Sequence, residues 1–474
     1  MSFIKGILDE HLSSSDHLSK KHIHPRLSKL FDMAGLNVAF TRADGSYLYD
    51  RDGNEYLDLL SGGGVHFIGR QHPEVVAAIA EVNQGALPNM CVVNASLLGG
   101  ILAGKLLEMA GSGFTKVQYS NSGAEANEVA IRFARFCTRK RRFLHMAGAF
   151  HGRTYGAISL CGFRQMNEGM DPMLPTCTMI TPNDVEELRS ELSKGDVAGV
   201  FYEYCQGMTL TVLEKEYLRE MRRLCTEYGA MMIADEVQTG FARMGEQWFG
   251  FQKAGVLPDM VTLSKALSGG AAPVAATLIG EKLYETVFSD FKSGPIYFST
   301  FAENNIAMAA GLATMKVLED VDARRAATQL SDKLRQGLKE IQSRYDVVER
   351  IAGEGLMVGV YFRPSESRTV LKIQQKLLAN ADPGVFGASV NVEMMAKHRV
   401  ITQIPGPELN AIKILPPVNM TDRDVTTFLD AFDGTMSAMY KSGGPALPLG
   451  KAAVKDALRQ AKARILGGGE SSKK

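Results

Sequence analysis

The feature that most constrains this chain is an alternation of short apolar runs and longer helical stretches, which extends from Lys116 to Ile279. Each run has the length of a buried strand, and the stretches between the runs have the residue spacing of helices. Such alternation predicts a mainly parallel sheet with helices on both faces. The seven runs are KVQYSN, RFLHM, TMITP, VAGVFYE, AMMIADE, MVTLS and AATLIG. We therefore predict an α/β fold, in which ligands bind at the carboxyl ends of the strands.

The rest of the chain predicts a second, smaller α+β unit. A chain of 474 residues is too long for one simple core. Turn signals at Asp44-Gly45 and Asp52-Gly53 indicate a hairpin-like section before the alternation, and strands mix with helices after residue 330. The predicted parts are an N-terminal leader with part of the small domain at 1–74, a large domain at 75–330, a C-terminal small domain at 331–440 and a C-terminal extension at 441–474.

Composition argues against several classes of partner. The net charge of +1 provides no strongly charged surface for nucleic acid or a membrane. No apolar run reaches the ~18 residues of a membrane span, and Asp9 and Glu10 interrupt the segment where a signal peptide would be apolar. The six cysteines contain no C-x-x-C pair, which predicts reduced thiols rather than disulfides or a zinc site. We therefore expect a cytoplasmic protein.

Two of the predicted strands are followed by residues that suit an anion and a flat ring. Ser122, Gly123 and Ala124 open a helix, so their N–H groups and a hydroxyl could bind a phosphate. A serine before a helix is also an ordinary N-cap. Phe150 and His151 stand before a glycine, where the aromatic ring could stack on a ligand or simply belong to the core.

Two further strand ends carry charged residues. The run MMIAD ends in Asp235, and Glu236 follows it. Two acids at the end of a buried strand suit a metal ion, a protonated ring nitrogen or a solvated strand end. Lys265 follows MVTLS and precedes a turn of glycine, alanine and serine. A lysine in a low dielectric loses its proton easily and becomes a nucleophile, although most lysines are simply exposed.

Together, these four strand ends describe a site for pyridoxal 5′-phosphate, which needs a phosphate cradle, a stacking ring, an acid for its ring nitrogen and an amine for its aldehyde. The chain resembles the class III aminotransferases of the fold-type I pyridoxal-phosphate enzymes, the group of ornithine, 4-aminobutyrate and ω-amino acid aminotransferases. The resemblance covers about residues 40–430, and its most specific part is ADEVQTGFARMG with a lysine thirty positions after Asp235. It implies a large domain with a mainly parallel, seven-stranded sheet and a smaller α+β domain formed by both chain ends.

The resemblance also implies roles at the cofactor ring. Lys265 would be the Schiff-base lysine and would then move the proton between the substrate carbon and the cofactor. Asp235 would keep the ring nitrogen protonated. Val237 would pack on the ring face opposite Phe150, and Gln238 would reach the ring hydroxyl.

Other matches concern a further acid and a second subunit. Glu203, in VFYEYCQG, matches an acid of the family and joins Lys265 and Asp235 as a predicted catalytic residue. Thr300, in FSTFAENN, matches a threonine that reaches the phosphate of the neighbouring subunit, which implies a homodimer with shared active sites. Its small-molecule partners would be an amine donor and a carbonyl acceptor. The predicted cofactor-binding residues are Ser122, Gly123, Ala124, Phe150, His151, Glu203, Asp235, Val237, Gln238, Lys265 and Thr300.

The sequence departs from the family where amino-acid carboxylates often bind. An arginine often precedes a Pro-Pro pair, but AIKILPPV has Lys413, and a glutamate often follows Q-G, but CQGMTL has Met208. Lysine lacks the two-pronged geometry of arginine, and methionine makes the pocket apolar and adaptable. Arg153 remains a candidate carboxylate contact. We therefore favour an ω-amine or aldehyde type of aminotransferase, with a ping-pong mechanism through Lys265.

Other functions fit some of the same residues. An aminomutase, racemase or decarboxylase of the same fold would need no separate acceptor. A dimer that binds the cofactor without turnover would be expected to have lost Lys265, which is present. A nicotinamide site is disfavoured because GEGLMVG at 353–359 is only a loose glycine pattern outside the alternating region.

Overall fold

The computed structural model describes residues 3–11, 18, 21–23, 25, 38–90, 96–174, 176–289, 299–380 and 382–441. The predicted C-terminal extension lies outside these ranges except for Lys441, as does most of the predicted leader. None of the helices in these ranges has both the length and the apolar character that crossing a membrane requires.

The described chain begins, after a short N-terminal helix, with three antiparallel strands. These strands are β1 (Phe40–Asp44), β2 (Tyr47–Asp50) and β3 (Glu55–Asp58). The two turns fall at the predicted Asp44-Gly45 and Asp52-Gly53 positions. Gly45 and Gly53 have φ values of +52° and +79°, which glycine adopts without steric cost. The hairpin prediction is therefore confirmed.

A mixed sheet of seven strands forms the centre of the molecule, as predicted. Its strands are β4 (Lys116–Ser120), β5 (Arg142–Met146), β6 (Cys177–Ile180), β7 (Val197–Tyr202), β8 (Met231–Asp235), β9 (Met260–Leu263) and β10 (Ala275–Ile279). Their order is β4-β10-β9-β8-β7-β5-β6. β10 runs antiparallel to both of its neighbours, whereas the other pairings are parallel. The carboxyl ends of β4, β5, β7, β8 and β9 therefore lie at one edge, where the residues that follow them can meet.

Helices cover both faces of this sheet. The helices in the described ranges are α1 (Phe3–His11), α2 (Pro73–Gln84), α3 (Leu97–Ala110), α4 (Gly123–Thr138), α5 (Tyr155–Ser159), α6 (Val185–Leu192), α7 (Lys215–Glu227), α8 (Gly250–Ala254), α9 (Glu281–Val287), α10 (Asn305–Asp320), α11 (Ala323–Arg344), α12 (Thr369–Ala379), α13 (Val385–His398) and α14 (Asp422–Lys441), with shorter turns at Ser61–Gly64, Arg164–Met166 and Lys265–Ser268. Successive side chains of a strand point to opposite faces. In β8, Ile233 packs into the hydrophobic cluster that contains α4, and Met232 and Ala234 pack into the cluster on the other face.

Two smaller sheets involve the C-terminal part of the chain. β11 (Val348–Ala352), β12 (Val358–Phe362) and, after β13 (Val400–Ile401), β14 (Ala411–Ile414) supply their strands. β11, β12 and β14 are antiparallel, whereas β13 pairs in parallel with β3, with Val400 opposite Leu57. The N-terminal and C-terminal parts of the described chain therefore share a sheet, as the resemblance implied.

Candidate active site

A cavity of about 300 Å³ opens at the carboxyl edge of the seven-stranded sheet. Most of the predicted site residues line it. They are Gly123, Ala124, Phe150, His151, Glu203, Met208, Asp235, Val237, Gln238, Lys265 and Lys413. Ser122, Arg153 and Thr300 do not line it. The fold therefore brings together predicted residues that are up to 290 positions apart in sequence, from Gly123 to Lys413.

The carboxylate of Asp235 is fixed by three neighbours. Asp235 Oδ2 lies 2.7 Å from Nδ1 of His151 and accepts a hydrogen bond from Nδ2 of Asn127 at 2.8 Å. Oδ1 accepts a hydrogen bond from the N–H of Val237 at 3.0 Å. Asn127 is itself oriented, because its Oδ1 accepts from Oγ1 of Thr262 at 2.8 Å. The acid at the end of β8 is therefore held in one orientation against the cavity.

His151 forms a buried pair with Asp235. Burial acts to lower the pKa of His151, but the hydrogen bond and the negative charge of Asp235 outweigh it and raise the pKa above its usual value. His145, which is also buried, shows the opposite result, because burial lowers its pKa to about 4. The structure therefore favours a charged imidazole at His151 and a neutral one at His145.

Glu203 connects two loops at the cavity. Its Oε1 accepts a hydrogen bond from the N–H of Phe150 at 3.0 Å, and its Oε2 accepts one from the N–H of Gly207 at 2.7 Å. Burial raises the pKa of Glu203, although the charge of His151 opposes this. The side chain thereby positions the loop that carries Phe150 against the loop that carries Met208.

Lys265 follows β9 at the same edge. Its φ is +43°, in the left-handed region that is uncommon for residues with a side chain. The preceding Ser264 is fixed, because its Oγ donates a hydrogen bond to the carbonyl of Val274 at 2.8 Å. Burial lowers the pKa of Lys265, and the negative charges of Asp235 and Glu203 oppose the shift. A lowered pKa favours the free amine, which is the nucleophilic form.

The start of α4 forms a cradle for an anion. Ser122 is the N-cap, and its Oγ accepts a hydrogen bond from the N–H of Glu125 at 3.3 Å. The first N–H groups of a helix have no partner within the helix, so Gly123 and Ala124 can offer theirs to the cavity. A Cβ on Gly123 would lie 2.9 Å from both Cγ atoms of Val237. Glycine at this position therefore allows the helix start and Val237 to share the cavity.

Some lining residues were missed from the sequence. They are Gly63, Asn127, Gly152, Gly207, Ser264 and Gln403. Asn127 could have been found, since it lies four residues after Gly123 and therefore on the same face of α4. Gln403 carried no sequence signal, because it reaches the cavity through a backbone bridge to Lys413.

Lys413 is buried beside the cavity with 2% of its surface exposed. Its Nζ donates a hydrogen bond to the carbonyl of Gly207 at 2.5 Å. Burial, and then the positive charge of Lys265, lower the pKa of Lys413 to about 7. Lys413, which replaces the arginine that the resemblance led us to expect here, is therefore already hydrogen-bonded to the protein backbone.

Glu236, the neighbour of Asp235, points away from the cavity. Its carboxylate accepts hydrogen bonds from the N–H groups of Gly250 and Phe251 at 2.9 and 2.7 Å and from the hydroxyl of Thr239. Within the described ranges, no group of three or more His, Cys, Asp or Glu side chains could hold a metal ion. The structure therefore separates the two acids and gives no support to a metal at this strand end.

Two predicted residues lie outside the cavity lining. Arg153 is exposed, and its guanidinium is 5.8 Å from the centre of the Phe150 ring. Thr300 is also exposed. Their roles toward a substrate carboxylate and a second subunit stay predictions.

The family model for "Aminotransferase class-III" matches residues 32–436. The chain belongs to the class III aminotransferases. The acetylornithine aminotransferase of Clostridium acetobutylicum is 32% identical over 413 residues, which cover 84% of this chain and 96% of that protein. The aminotransferase PigE of a Serratia species is 26% identical over 465 residues, and the match spans 91% of this chain but only about half, 54%, of that protein.

Solved structures show the same fold. A transaminase from Bacillus megaterium, described as S-selective, has a TM-score of 0.80 at 21% identity, and the match covers 91% of this chain and 99% of that one. The ornithine aminotransferase of Toxoplasma gondii has a TM-score of 0.77 at 21% identity, with 94% and 99% covered. This class III aminotransferase therefore has the fold of the pyridoxal-phosphate enzymes of fold type I and uses pyridoxal 5′-phosphate.

The cavity of this aminotransferase fits that cofactor. Gln238 donates through Nε2 to the carbonyl of Gly63 at 2.8 Å, while its Oε1 is buried with no hydrogen-bond partner among the described residues. A buried acceptor without a donor is costly, so this oxygen suits a bound group that carries a hydroxyl. The N–H groups at Gly123 and Ala124 suit a phosphate, and the amine of Lys265 suits an aldehyde.

Proposed function

We propose that this aminotransferase moves an amino group from an amine or amino-acid donor to an aldehyde or ketone acceptor, with a preference for substrates that carry no carboxylate beside the reacting carbon. The observation that supports this preference is the contact between Lys413 and the carbonyl of Gly207. A lysine whose Nζ is already hydrogen-bonded, and which lacks the fork of an arginine, binds a carboxylate less well than an arginine at the same position would.

The remaining lining supports the same preference. In the part of the chain that the structure describes, the lining contains no arginine, and its basic side chains are Lys265, Lys413 and His151. Met208 adds an apolar and adaptable surface. The relatives include acetylornithine aminotransferases, so the proposal includes amino acids among the donors. A ping-pong enzyme binds its donor and its acceptor in turn, so the two substrates need not belong to the same chemical class.

We assign the residues that would hold the cofactor from their positions in the cavity. Gly123 and Ala124 would bind the phosphate, Asp235 the ring nitrogen, and Phe150 and Val237 the two faces of the ring. When bound, pyridoxal phosphate supplies an aldehyde that takes up the amino group and a ring that withdraws electrons from the neighbouring carbon.

The protein's own contribution is to hold charge and move a proton. Asp235 is fixed by Asn127 and His151, so its negative charge stays directed at one point of the cavity. The amine of Lys265 can accept a proton and return it, because burial lowers its pKa and so eases the loss of the proton. These roles match the transfer of a proton between the substrate carbon and the cofactor.

The covalent assignment is tested by reduction of the holoenzyme with borohydride, followed by digestion and mass spectrometry of the peptides. We expect the cofactor mass on the peptide that contains Lys265. Lys413 provides an internal control, because it is a second buried lysine of the same cavity. A cofactor label on Lys413, or on neither lysine, contradicts the assignment.

The substrate preference is tested with the pyridoxamine form of the enzyme and a matched set of acceptors. We expect kcat/KM for neutral aldehydes to exceed that for pyruvate and 2-oxoglutarate by about 10-fold or more, as expected when a carboxylate is buried without a well-shaped partner. A preference for the keto acids contradicts the proposed acceptor class. Turnover of the donor without any acceptor would instead indicate an aminomutase, racemase or decarboxylase.

We also propose a homodimer with shared sites. Apolar side chains of α3 and of the segment next to Thr300 are exposed, with 71% of Leu97, 58% of Ile101 and 59% of Phe301 accessible. Large apolar groups that are grouped on a surface favour association. A mixture of Lys265→Ala and Thr300→Ala subunits tests whether the sites are shared. If each site takes Lys265 from one subunit and Thr300 from the other, a hybrid dimer of the two variants has one site in which both residues are intact, and activity is recovered. Mixed subunits that recover no activity, although they exchange, contradict shared sites.

A further inference from the structure

The side chain of Lys413 cannot move its charge into water. Its backbone is bound on both sides, since it exchanges hydrogen bonds of 2.9 and 2.7 Å with Gln403 and pairs with Gly359 of β12. Long lysine side chains usually place the ammonium group in solvent, but here Nζ is directed to the carbonyl of Gly207. The charge of Lys413 must therefore be accommodated inside the protein or given up.

No acid compensates that charge directly. Among the described residues, Lys413 forms no ion pair within 4.0 Å, and the groups that act on it are Lys265 after β9, Glu203 and Cys205 after β7, and Arg243 after β8. Both oxygens of Glu203 already accept backbone hydrogen bonds. Arg243, and Lys265 when it carries its proton, both disfavour a positive charge on Lys413.

Lys413 and Gln403 lie side by side at the substrate wall. They are direct partners in an antiparallel bridge, so their side chains project from the same face, and both line the cavity with Met208. Gln403 and Met208 are neutral at every pH. The charge of this wall therefore depends on whether Lys413 carries its proton.

We propose that Lys413 couples substrate choice to its own protonation: the ammonium form accepts a substrate carboxylate, and the free amine accepts a neutral chain. The proposal rests on the proposed aminotransferase function of the same cavity, and it makes Lys413 a specificity-determining residue rather than a catalytic one. A bound carboxylate would supply the missing counter-charge, so carboxylate binding and proton uptake at Lys413 must favour each other equally. A pKa of about 7 places this exchange within the working range of most enzymes.

Equilibrium binding to the holoenzyme tests the coupling without turnover. Butanoate and butanamide have the same shape and neither can exchange an amino group, so their affinities are compared by calorimetry between pH 6 and pH 9. For the wild type we expect the butanoate affinity to fall by up to about tenfold per unit above pH 7, with uptake of nearly one proton, and the butanamide affinity to stay constant. Proton uptake is obtained from titrations in two buffers of different ionisation enthalpy.

Two variants decide whether Lys413 is the responsible group, since Lys265 lies in the same cavity and also titrates. Lys413→Arg keeps the charge at all these pH values, so its butanoate affinity should vary by less than about threefold and without proton uptake. Lys413→Met should bind butanoate weakly at every pH. Melting temperatures and cofactor absorbance establish that each variant folds and binds the cofactor. If the Lys413→Arg variant does not fold, the comparison of wild type with Lys413→Met is sufficient to test the proposal.

The proposal is overturned if wild type and either variant share the same pH slope for butanoate. It is also overturned if butanamide shows the slope of butanoate in the wild type. A holoenzyme that binds as predicted but transfers no amino group to any carbonyl would contradict the proposed function and not this coupling.

Discussion

Nδ1 of His151 lies 2.7 Å from Oδ2 of Asp235, and both side chains are buried at the edge of the seven-stranded sheet. Burial acts to lower the pKa of His151, but the hydrogen bond and the charge of Asp235 outweigh it and raise that pKa. Asn127 holds the same oxygen of Asp235. This network explains how one acid keeps its charge directed at the cavity.

Replacement of Asp235 by asparagine should lower kcat/KM by about 100-fold or more, because a preorganised charge at the cavity is lost. Glu236→Gln is the matched control, since it changes the adjacent acid that faces away. We expect it to lower the free energy of unfolding by about 1–3 kcal/mol through its weakened hydrogen bonds, with kcat/KM changed by less than about threefold. Steady-state kinetics and urea unfolding of both variants provide the comparison, and equal loss of activity would contradict the assignment.

Gly123→Ala should weaken cofactor binding. The added Cβ would approach both Cγ atoms of Val237 at 2.9 Å, so the helix start or Val237 must shift at a cost of about 1–3 kcal/mol. The dissociation constant for pyridoxal phosphate should rise about 5-fold to 140-fold in a fluorescence titration. Gly6→Ala in α1 is the control, because its Cβ meets nothing within 4 Å and alanine favours the helix. An unchanged dissociation constant in Gly123→Ala would contradict the close packing.

The His151–Asp235 pair should make the stability of the apoprotein depend on pH. A histidine whose pKa is raised by folding contributes stability that is complete below its unfolded pKa of about 6.5 and is lost as pH rises through the folded value. The difference in unfolding free energy between wild type and His151→Gln should therefore be larger at pH 6 than at pH 9.

His145→Gln provides the control of opposite sign. Folding lowers the pKa of His145 to about 4, so the wild-type histidine destabilises the fold as pH falls from about 6.5 toward 4 and has no such effect above. The two variants should diverge from wild type in different pH ranges in urea unfolding. A difference for His151→Gln that is constant from pH 6 to pH 9 would be inconsistent with the charged pair.

Tyr204 directly follows Glu203, and its contacts predict a structural role. Its hydroxyl donates to Oε2 of Glu354 at 2.8 Å, and its ring packs against Gly250. Tyr204→Phe should lower the free energy of unfolding by about 1 kcal/mol, because one partly buried hydrogen bond is lost. Activity and cofactor affinity should stay within about twofold of wild type. A large loss of cofactor affinity without loss of stability would place Tyr204 in the binding site instead.

The secondary structure was predictable because its signals are local. The glycines of the first hairpin and the apolar runs of the large sheet appear where the sequence indicated them. The residues at the strand ends were predictable for a related reason. Parallel strands bring their carboxyl ends to one edge of the sheet, so Glu203, Asp235 and Lys265, which follow neighbouring strands, were expected to lie close together.

The sequence by itself thus determined the sheet, its helices and the edge at which the chemistry lies, since each depends on spacing between near neighbours. Only the tertiary structure decided that Asp235 faces the cavity and Glu236 does not, because that depends on the N–H groups of Gly250 and Phe251. It likewise decided that Lys413 binds a carbonyl 206 positions away, at Gly207. Contacts of this kind depend on how distant elements pack and on which buried charges find a partner, and no local pattern encodes either.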